Sequence, residues 1–317
     1  MDLMYTNAKR VDQGVLSAYA LDLSFGADEN NFEMTLGADF PALDFGAFIY
    51  MEGTEYGGVI DAIKTSTNGD SVTYMGRTWH GIMNSKVIEP AAGKDYLYVS
   101  GDANAVLSFL IKRLGLESLF VAAEESSGIN ISNYQFARYC KGYDGIRAML
   151  ADMKAKLVVA WENRSVCLSA VPSVDYTDSP IDGDIATLKV EQHGQKVNHL
   201  ICLGSGELAK RKVIHLYADQ FGQIIDKPYY TGTAEVAEIY ENANSDDLKA
   251  DGKKRLTELL ETDKAEMSLT ENDTVFDIGD VVGASEAKTG VSVDAKVTQK
   301  IVKINNGAIR IEYKTGG

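Results

Sequence analysis

A chain that carries the same pattern near both of its ends has fewer folds open to it than composition alone would leave. Residues 44–64, DFGAFIYMEGTEYGGVIDAIK, and residues 277–297, DIGDVVGASEAKTGVSVDAKV, overlay without a gap. Asp44 falls on Asp277, Gly46 on Gly279, Gly57 on Gly290, Asp61 on Asp294 and Ala62 on Ala295, five identities in twenty-one positions. Phe45, Phe48, Ile49 and Ile60 fall on Ile278, Val281, Val282 and Val293, so apolar positions recur along with the glycines. Each copy runs on to an Asn-Gly pair, Asn68-Gly69 and Asn306-Gly307. That dipeptide suits a two-residue hairpin turn, because both central positions take positive φ. The pattern predicts two related β units near opposite ends of the chain.

The residues around the copies agree. Tyr19, Leu21, Leu23 and Phe25, then Phe32, Met34 and Leu36, then Val72 and Tyr74 alternate with the period of half-buried strands. The period changes near Gly101. Val106, Leu107, Leu110, Ile111 and Leu114 form a helical stripe behind Asp102 as N-cap, with Gly115 as the stop. A second helix carries Ile146, Met149, Leu150, Met153 and Leu157, with Asp144 as its expected cap. LVVAWE and SVCLSAV read as a hairpin turning at Asn163-Arg164. Pro172 and the polar run VDYTDSPIDGD mark a linker, after which ATLKVEQ, VNHLICLG and KVIHLYA read as strands. One helix follows in SDDLKADGKKRLTELLE, on the apolar side of Leu248, Leu256, Leu259 and Leu260.

At 317 residues the chain has room for two or three cores. Its formal charge of -15 argues against a static grip on nucleic acid, which rests on Lys and Arg neutralising phosphates. Cys140, Cys167 and Cys202 are odd in number and widely spaced, which suggests neither a disulfide framework nor a zinc site. The opening MDLMYTNAKRVDQG lacks the apolar core of a signal peptide, and no apolar run approaches a membrane span. The expectation is a protein made in the cytoplasm.

Chemical motifs come close and then fail. Gly204, Gly206 and Ala209 follow an apolar strand in a dinucleotide-binding pattern, but the strand-like KVIHLYA begins too soon for the helix that would hold the pyrophosphate. Asp247, Asp251, Gly252 and Glu258 fall on EF-hand positions, yet Lys249 and Arg255 stand where oxygen ligands are needed. Asp175, Asp178, Asp182 and Asp184 read as an exposed acidic linker. His80, His193, His199 and His215 lack zinc-hydrolase spacing, and no nucleophile elbow or P-loop occurs. No catalytic, cofactor-binding or metal-binding residue is assigned. A β-rich carbohydrate-binding or cell-wall-degrading enzyme stays open as the alternative, although Trp79 and Trp161 lie in strand-like apolar contexts that favour core packing over sugar stacking.

Three segments resemble the tail-hub proteins of long-tailed bacteriophages and prophages, the siphovirus tail family. They are YMGRTWHGIMNSKVIEPAAGKDY at Tyr74 to Tyr96, VNHLICLGSGELAKRKVIHLYADQFGQI at Val197 to Ile224, and the closing DIGDVVGASEAKTGVSVDAKVTQKIVKINNGAIRIEY. The resemblance implies a mainly β chain with an α/β part, in which two related β-barrel domains are linked by an α/β domain. The expected divisions are residues 1–95, 96–171 and 172–317, the last including a helix near 245–261. It further implies a homotrimer whose six barrels form a pseudo-sixfold ring at the tail tip or baseplate. Tail-tube, spike or fibre proteins would be its partners and the virion tail its place, with no enzymatic activity and no cofactor. An acidic channel wall would then let DNA pass without trapping it.

Overall fold

The protein is described by a computed structural model covering residues 2–67, 69–177, 186–191, 195–260, 264–270, 275–285, 292–305 and 307–316. It is mainly β with a few helices, and it divides into two compact units. Unit 1 joins Met1–Leu188 to Met267–Gly316, and unit 2 is Lys189–Glu266.

The first copy spans β1 (Leu3–Thr6), β2 (Asp12–Leu16), β3 (Tyr19–Gly26), β4 (Asn31–Gly37), β5 (Phe48–Tyr50), β6 (Gly57–Lys64) and β7 (Ser71–Thr78). An α/β stretch follows: α1 (Trp79–Asn84), β8 (Val87–Ile88), β9 (Tyr98–Asp102), α2 (Ala103–Arg113), β10 (Phe120–Ala122), β11 (Asn130–Gln135), β12 (Cys140–Lys141), α3 (Gly142–Asp152), β13 (Ala155–Glu162) and β14 (Ser165–Pro172). Then come β15 (Ala186–Glu191), β16 (His199–Leu203), β17 (Val213–Ala218), β18 (Ile224–Ile225), β19 (Ala237–Glu241), α4 (Leu248–Leu260), β20 (Lys264–Thr270), β21 (Val281–Ser285), β22 (Ser292–Asn305) and β23 (Ala308–Gly316).

Strands from both ends of the chain share one twelve-stranded sheet, in the order β15-β20-β23-β22-β3-β4-β7-β6-β5-β1-β2 with β21 also on β22. Within it the order β3-β4-β7-β6-β5 is repeated by β15-β20-β23-β22-β21, so the duplication is one of topology as well as sequence. Where the first copy joins β3 to β4 through residues 27–30, the second joins β15 to β20 through a stretch that holds the strands and helix of unit 2. The expected closed barrels are not formed among the described residues. β22 is fourteen residues long; after pairing with β21 it runs on to pair with β3, carrying one copy's sheet into the other's. The pairing of β22 with β3 holds strands of both copies in unit 1.

Local expectations meet the structure in detail. Asp102 caps α2 by accepting the Asn104 N–H at 2.9 Å, and Gly115 takes φ of 65° just past its end. Asn163 and Arg164 both adopt positive φ in the two-residue turn between β13 and β14. Asn305 pairs with Ala308 and Gly307 takes φ of 85°; Asn306 and Asn68 lie outside the described residues. Gly69 instead sits in a longer link, because β6 ends at Lys64 and β7 begins at Ser71. Asp144 is not the cap of α3, which starts two residues earlier at Gly142. The Asn84 side chain does that work from α1: its Oδ1 accepts the Asp144 N–H at 3.2 Å. Gly142 is required there, because a Cβ would lie 2.4 Å from the Met83 carbonyl oxygen. α1 was itself not expected in a stretch read as all β; Thr78 caps it and nearly all its residues are buried.

Unit 2 is a four-stranded sheet in the order β18-β17-β16-β19 with α4 on one face. Leu248 and Leu256 pack on Leu200, Cys202 and Leu216, and Gly252 lets the helix approach Cys202 closely.

Candidate functional site

The two copies meet in unit 1, and the site begins with a turn that occurs in each. In Asp44-Phe45-Gly46-Ala47 the Ala47 N–H donates to the Asp44 carbonyl at 3.2 Å; in Asp277-Ile278-Gly279-Asp280 the Asp280 N–H donates to the Asp277 carbonyl at 3.1 Å. The glycines take φ of 80° and 106°, which explains why both turns spell Asp-x-Gly. Each turn is fastened to the strand behind it by the same two bonds. Gly46 N–H donates to Ile60 O and Ile60 N–H to Ala47 O, as Gly279 N–H donates to Val297 O and Val297 N–H to Asp280 O. A buried tyrosine anchors each from below: Tyr74 Oη accepts the Leu43 N–H at 3.2 Å, and Tyr313 Oη accepts the Phe276 N–H at 3.1 Å.

The bulges repeat too. β6 is interrupted between Ile60 and Ala62, and β22 between Val297 and Gln299. Asp61 therefore corresponds to Thr298, not to Asp294. The gapless overlay holds through the turn and β5, up to Tyr50 and Gly283, and then slips by four residues, the extra length of the second copy's hairpin. Gly290 lies outside the described residues. The tyrosine anchors stand a further two residues apart, which hid them from that overlay.

Beyond its bulge β22 pairs antiparallel with β3, from Gln299 opposite Gly26 to Asn305 opposite Ala20. Gly26 has φ of 130°, and a Cβ on it would lie 2.2 Å from the Thr298 carbonyl oxygen, so only glycine lets the strands close at this point. Val302 and Ile304 enter the core of the first copy beside Leu21 and Leu23.

A chain of alternating charge lies beneath this junction. Lys300 of the second copy donates to Glu55 Oε1 of the first at 2.7 Å. Its Nζ is also 3.8 Å from Asp277 Oδ1, and Lys156 on β13 donates to both Asp277 Oδ2 and Asp280 Oδ2 at 2.8 Å. Asp280 is completely buried and fully engaged, its Oδ2 accepting the Asp277 N–H and its Oδ1 the Val174 N–H. Burial is the largest single effect and would lower the pKa of Lys300, but the charge and hydrogen bond of Glu55 together with Tyr56 and Tyr313 outweigh it and hold the ammonium well above its ordinary range. Burial likewise opposes the charge on Lys156, and its bonds to Asp277 and Asp280 raise the pKa regardless. Burial drives Tyr313 to about 12 and His80 down to about 4. His80 Nε2 is 3.4 Å from Glu55 Oε2, and its Nδ1 is buried without a hydrogen-bond partner. Lys300, Tyr313 and His80 therefore each keep one protonation state near pH 7. A half-open pocket of about 240 Å³ beside the charge cluster is lined by Glu55, Tyr56, His80, Tyr143 and Lys300.

Residues singled out by sequence take structural places. Gly204 and Gly206 lie in the β16–β17 hairpin, followed by a three-residue turn at Leu208–Lys210 and not by an α-helix. Asp247 accepts N–H bonds at the start of α4, while Arg255 pairs with Glu238 and Glu258, so the EF-hand-like run is a helix held by cations of its own. Asp175 organises a turn at Thr177; Asp178, Asp182, Asp184 and His193 lie outside the described residues. His199 bridges Glu235 Oε1 at 2.6 Å and His215 Nδ1 at 2.8 Å, and no metal-binding cluster occurs among the described residues. Trp79 and Trp161 are 0 % and 4 % exposed and stack with ring centroids 5.1 Å apart, which removes them as sugar platforms. The three cysteines are free thiols, and no helix among the described residues is long and apolar enough to cross a membrane.

No protein-family model matches the chain, and none of the curated proteins matches it in sequence. Solved structures do. A 43 kDa tail protein of prophage MuSo2 from Shewanella oneidensis matches 99% of this chain and 98% of its own, with TM-score 0.58 and 10% identity. The prophage tail protein gp18 from Listeria monocytogenes EGD-e matches 99% and 94%, with TM-score 0.54 and 14% identity. A chain of the phage P2 baseplate in its activated conformation matches 100% and 99%, with TM-score 0.52 and 11% identity. The fold is therefore that of the phage tail and baseplate proteins it matches. At these identities the likeness is one of fold, and it runs from end to end of the chain.

Proposed function

We propose that the chain is a structural subunit of a phage or prophage tail tip or baseplate hub. In this reading three chains form a pseudo-sixfold ring that joins the tail tube to distal spike or fibre proteins. The ring acts through its interfaces, and the virion tail is its place of work.

The observation that carries the reading is the duplication inside a tail-protein fold. Two copies with the same strand order, Asp-x-Gly turn, tyrosine anchor and bulge give one chain two equivalent positions, so a threefold assembly presents six similar lobes. A symmetry mismatch between a sixfold tube and a threefold spike is what such an arrangement resolves. The test is light scattering on a sizing column followed by negative-stain microscopy, with and without the tube protein. A ring of three chains with six lobes is expected; a monomer under both conditions refutes the proposal.

A further inference from the structure

Three connections meet at one end of the unit 2 sheet: residues 195–198 leading into β16, the turn 219–223 between β17 and β18, and the loop that leads into β19. A groove of about 520 Å³ lies among them, within the range of small-molecule sites, and Gln195, Asp219, Gln220, Phe221 and Tyr230 line it. Phe221 is 77 % exposed, a large apolar ring held in water by its turn. Asp219 Oδ1 accepts the Phe221 N–H at 2.8 Å and the Gln223 N–H at 2.9 Å, and Gly222 takes φ of 74°. The loop that carries Tyr230 is tied to the start of β16 through Asn198, whose Nδ2 donates to the Ala234 carbonyl at 2.8 Å and whose Oδ1 accepts the Val236 N–H at 3.0 Å. Tyr229 packs edge-on against Tyr230, with ring centroids 5.0 Å apart. Both aromatic side chains thus stand on segments fixed in advance of any ligand.

We propose that this groove binds a neutral saccharide. A sugar ring has an apolar face of C–H groups and an edge of hydroxyls, so it needs an aromatic surface beside groups that both donate and accept hydrogen bonds. Phe221 and Tyr230 supply the first. Gln220 and Asp219 Oδ2, which make no hydrogen bond to the protein among the described residues, supply the second together with Gln195, whose Nε2 donates to the Thr233 carbonyl at 3.3 Å. Asp219 and Lys196 give the groove one charge of each sign, so its net charge does not select an ion. The site goes beyond the hub reading and does not depend on it, because every lining residue belongs to unit 2 of a single chain.

The experiment probes the full chain on an array of neutral and acidic oligosaccharides and titrates the best neutral glycan by calorimetry. The parent is expected to bind at least one neutral glycan. Phe221→Ala is expected to weaken that binding about tenfold or more, while Phe221→Trp, which keeps a stacking surface, holds it within about threefold. Asp219→Asn keeps an acceptor for the turn and removes the second carboxylate oxygen, so it is expected to weaken binding several-fold. Phe221 is exposed, so Phe221→Ala should leave Tm unchanged, which separates a lost contact from a lost fold. A parent that binds no neutral glycan overturns the proposal, as does glycan binding that survives Phe221→Ala combined with Tyr230→Ala. A displayed peptide library captured by the parent in place of any glycan, and released by Phe221→Ala, overturns the saccharide assignment in favour of a peptide.

Discussion

Replacing Lys156 by Met separates the buried charge cluster from the fold in the most direct way. Asp280 has no exposed surface and takes its only charged hydrogen bond inside the cluster from Lys156 Nζ, at 2.8 Å. In Lys156→Met the carboxylate keeps the Asp277 and Val174 N–H donors but loses its counter-charge. Breaking one partner of a buried pair costs about 3–5 kcal/mol. The lost contact with Asp277 adds little, since that side chain is well exposed. For a unit of this size the expected drop in Tm is roughly 10 °C. The first copy supplies the control, because Ala47 stands in the place of Asp280 and is equally buried. The double variant Lys156→Met, Asp280→Ala should therefore recover most of the loss, returning to within about 1.5 kcal/mol of the parent. Urea denaturation followed by circular dichroism reads both variants. A single variant that loses less than about 0.5 kcal/mol, or a double variant no better than the single, would refute the claim that this pair is buried and mutually required.

Tyr74→Phe and Tyr313→Phe each leave a buried backbone N–H, of Leu43 or Phe276, without its acceptor. Each should cost about 1–3 kcal/mol in urea denaturation, and similar values for the two would reflect their equivalent roles. His80 is neutral in the folded protein, its pKa depressed from 6.5 to about 4 by burial, with Glu55 opposing that shift and Lys300 and Arg147 adding to it. The unfolded chain therefore binds this proton first, and the His80 contribution is complete above pH 6.5 and declines as pH falls towards 4. A loss of about 3 kcal/mol over that window is expected in the parent. His80→Phe should flatten this part of the pH–stability curve; an unchanged slope would show that another group is responsible.

Much of this architecture was legible in sequence because it rests on local rules. Asp102 and Gly115 bound α2, Leu248 and Leu256 mark the buried side of α4, and Asn163-Arg164 turns a hairpin, each within a few residues of its cause. The start of α3 was not legible, since its capping oxygen comes from Asn84, sixty positions away. α1 escaped notice because a six-residue helix buried nearly all round shows no amphipathic period. The duplication was visible in the Asp-x-Gly turns, but the longer second hairpin placed Asp61 on Asp294 and Ala62 on Ala295 where the bulges set Asp61 against Thr298 and Ala62 against Gln299. The cluster could not be foreseen: the pairing of β22 with β3 carries Lys300 to Glu55 of the first copy, and Lys156 reaches Asp277 and Asp280 from the separate β10-β14-β13 sheet.

The place where unit 2 leaves the repeated sheet has its own consequence. Four residues suffice to connect β3 to β4, while the corresponding gap between β15 and β20 spans residues 192–263. The sheet thus tolerates at one hairpin tip anything from a tight turn to a folded module with its own core of Leu200, Leu216 and Leu256. Such a port separates two rates of change. The framework is constrained by every strand that must find its register, and the guest by its own packing and the spacing of its two ends.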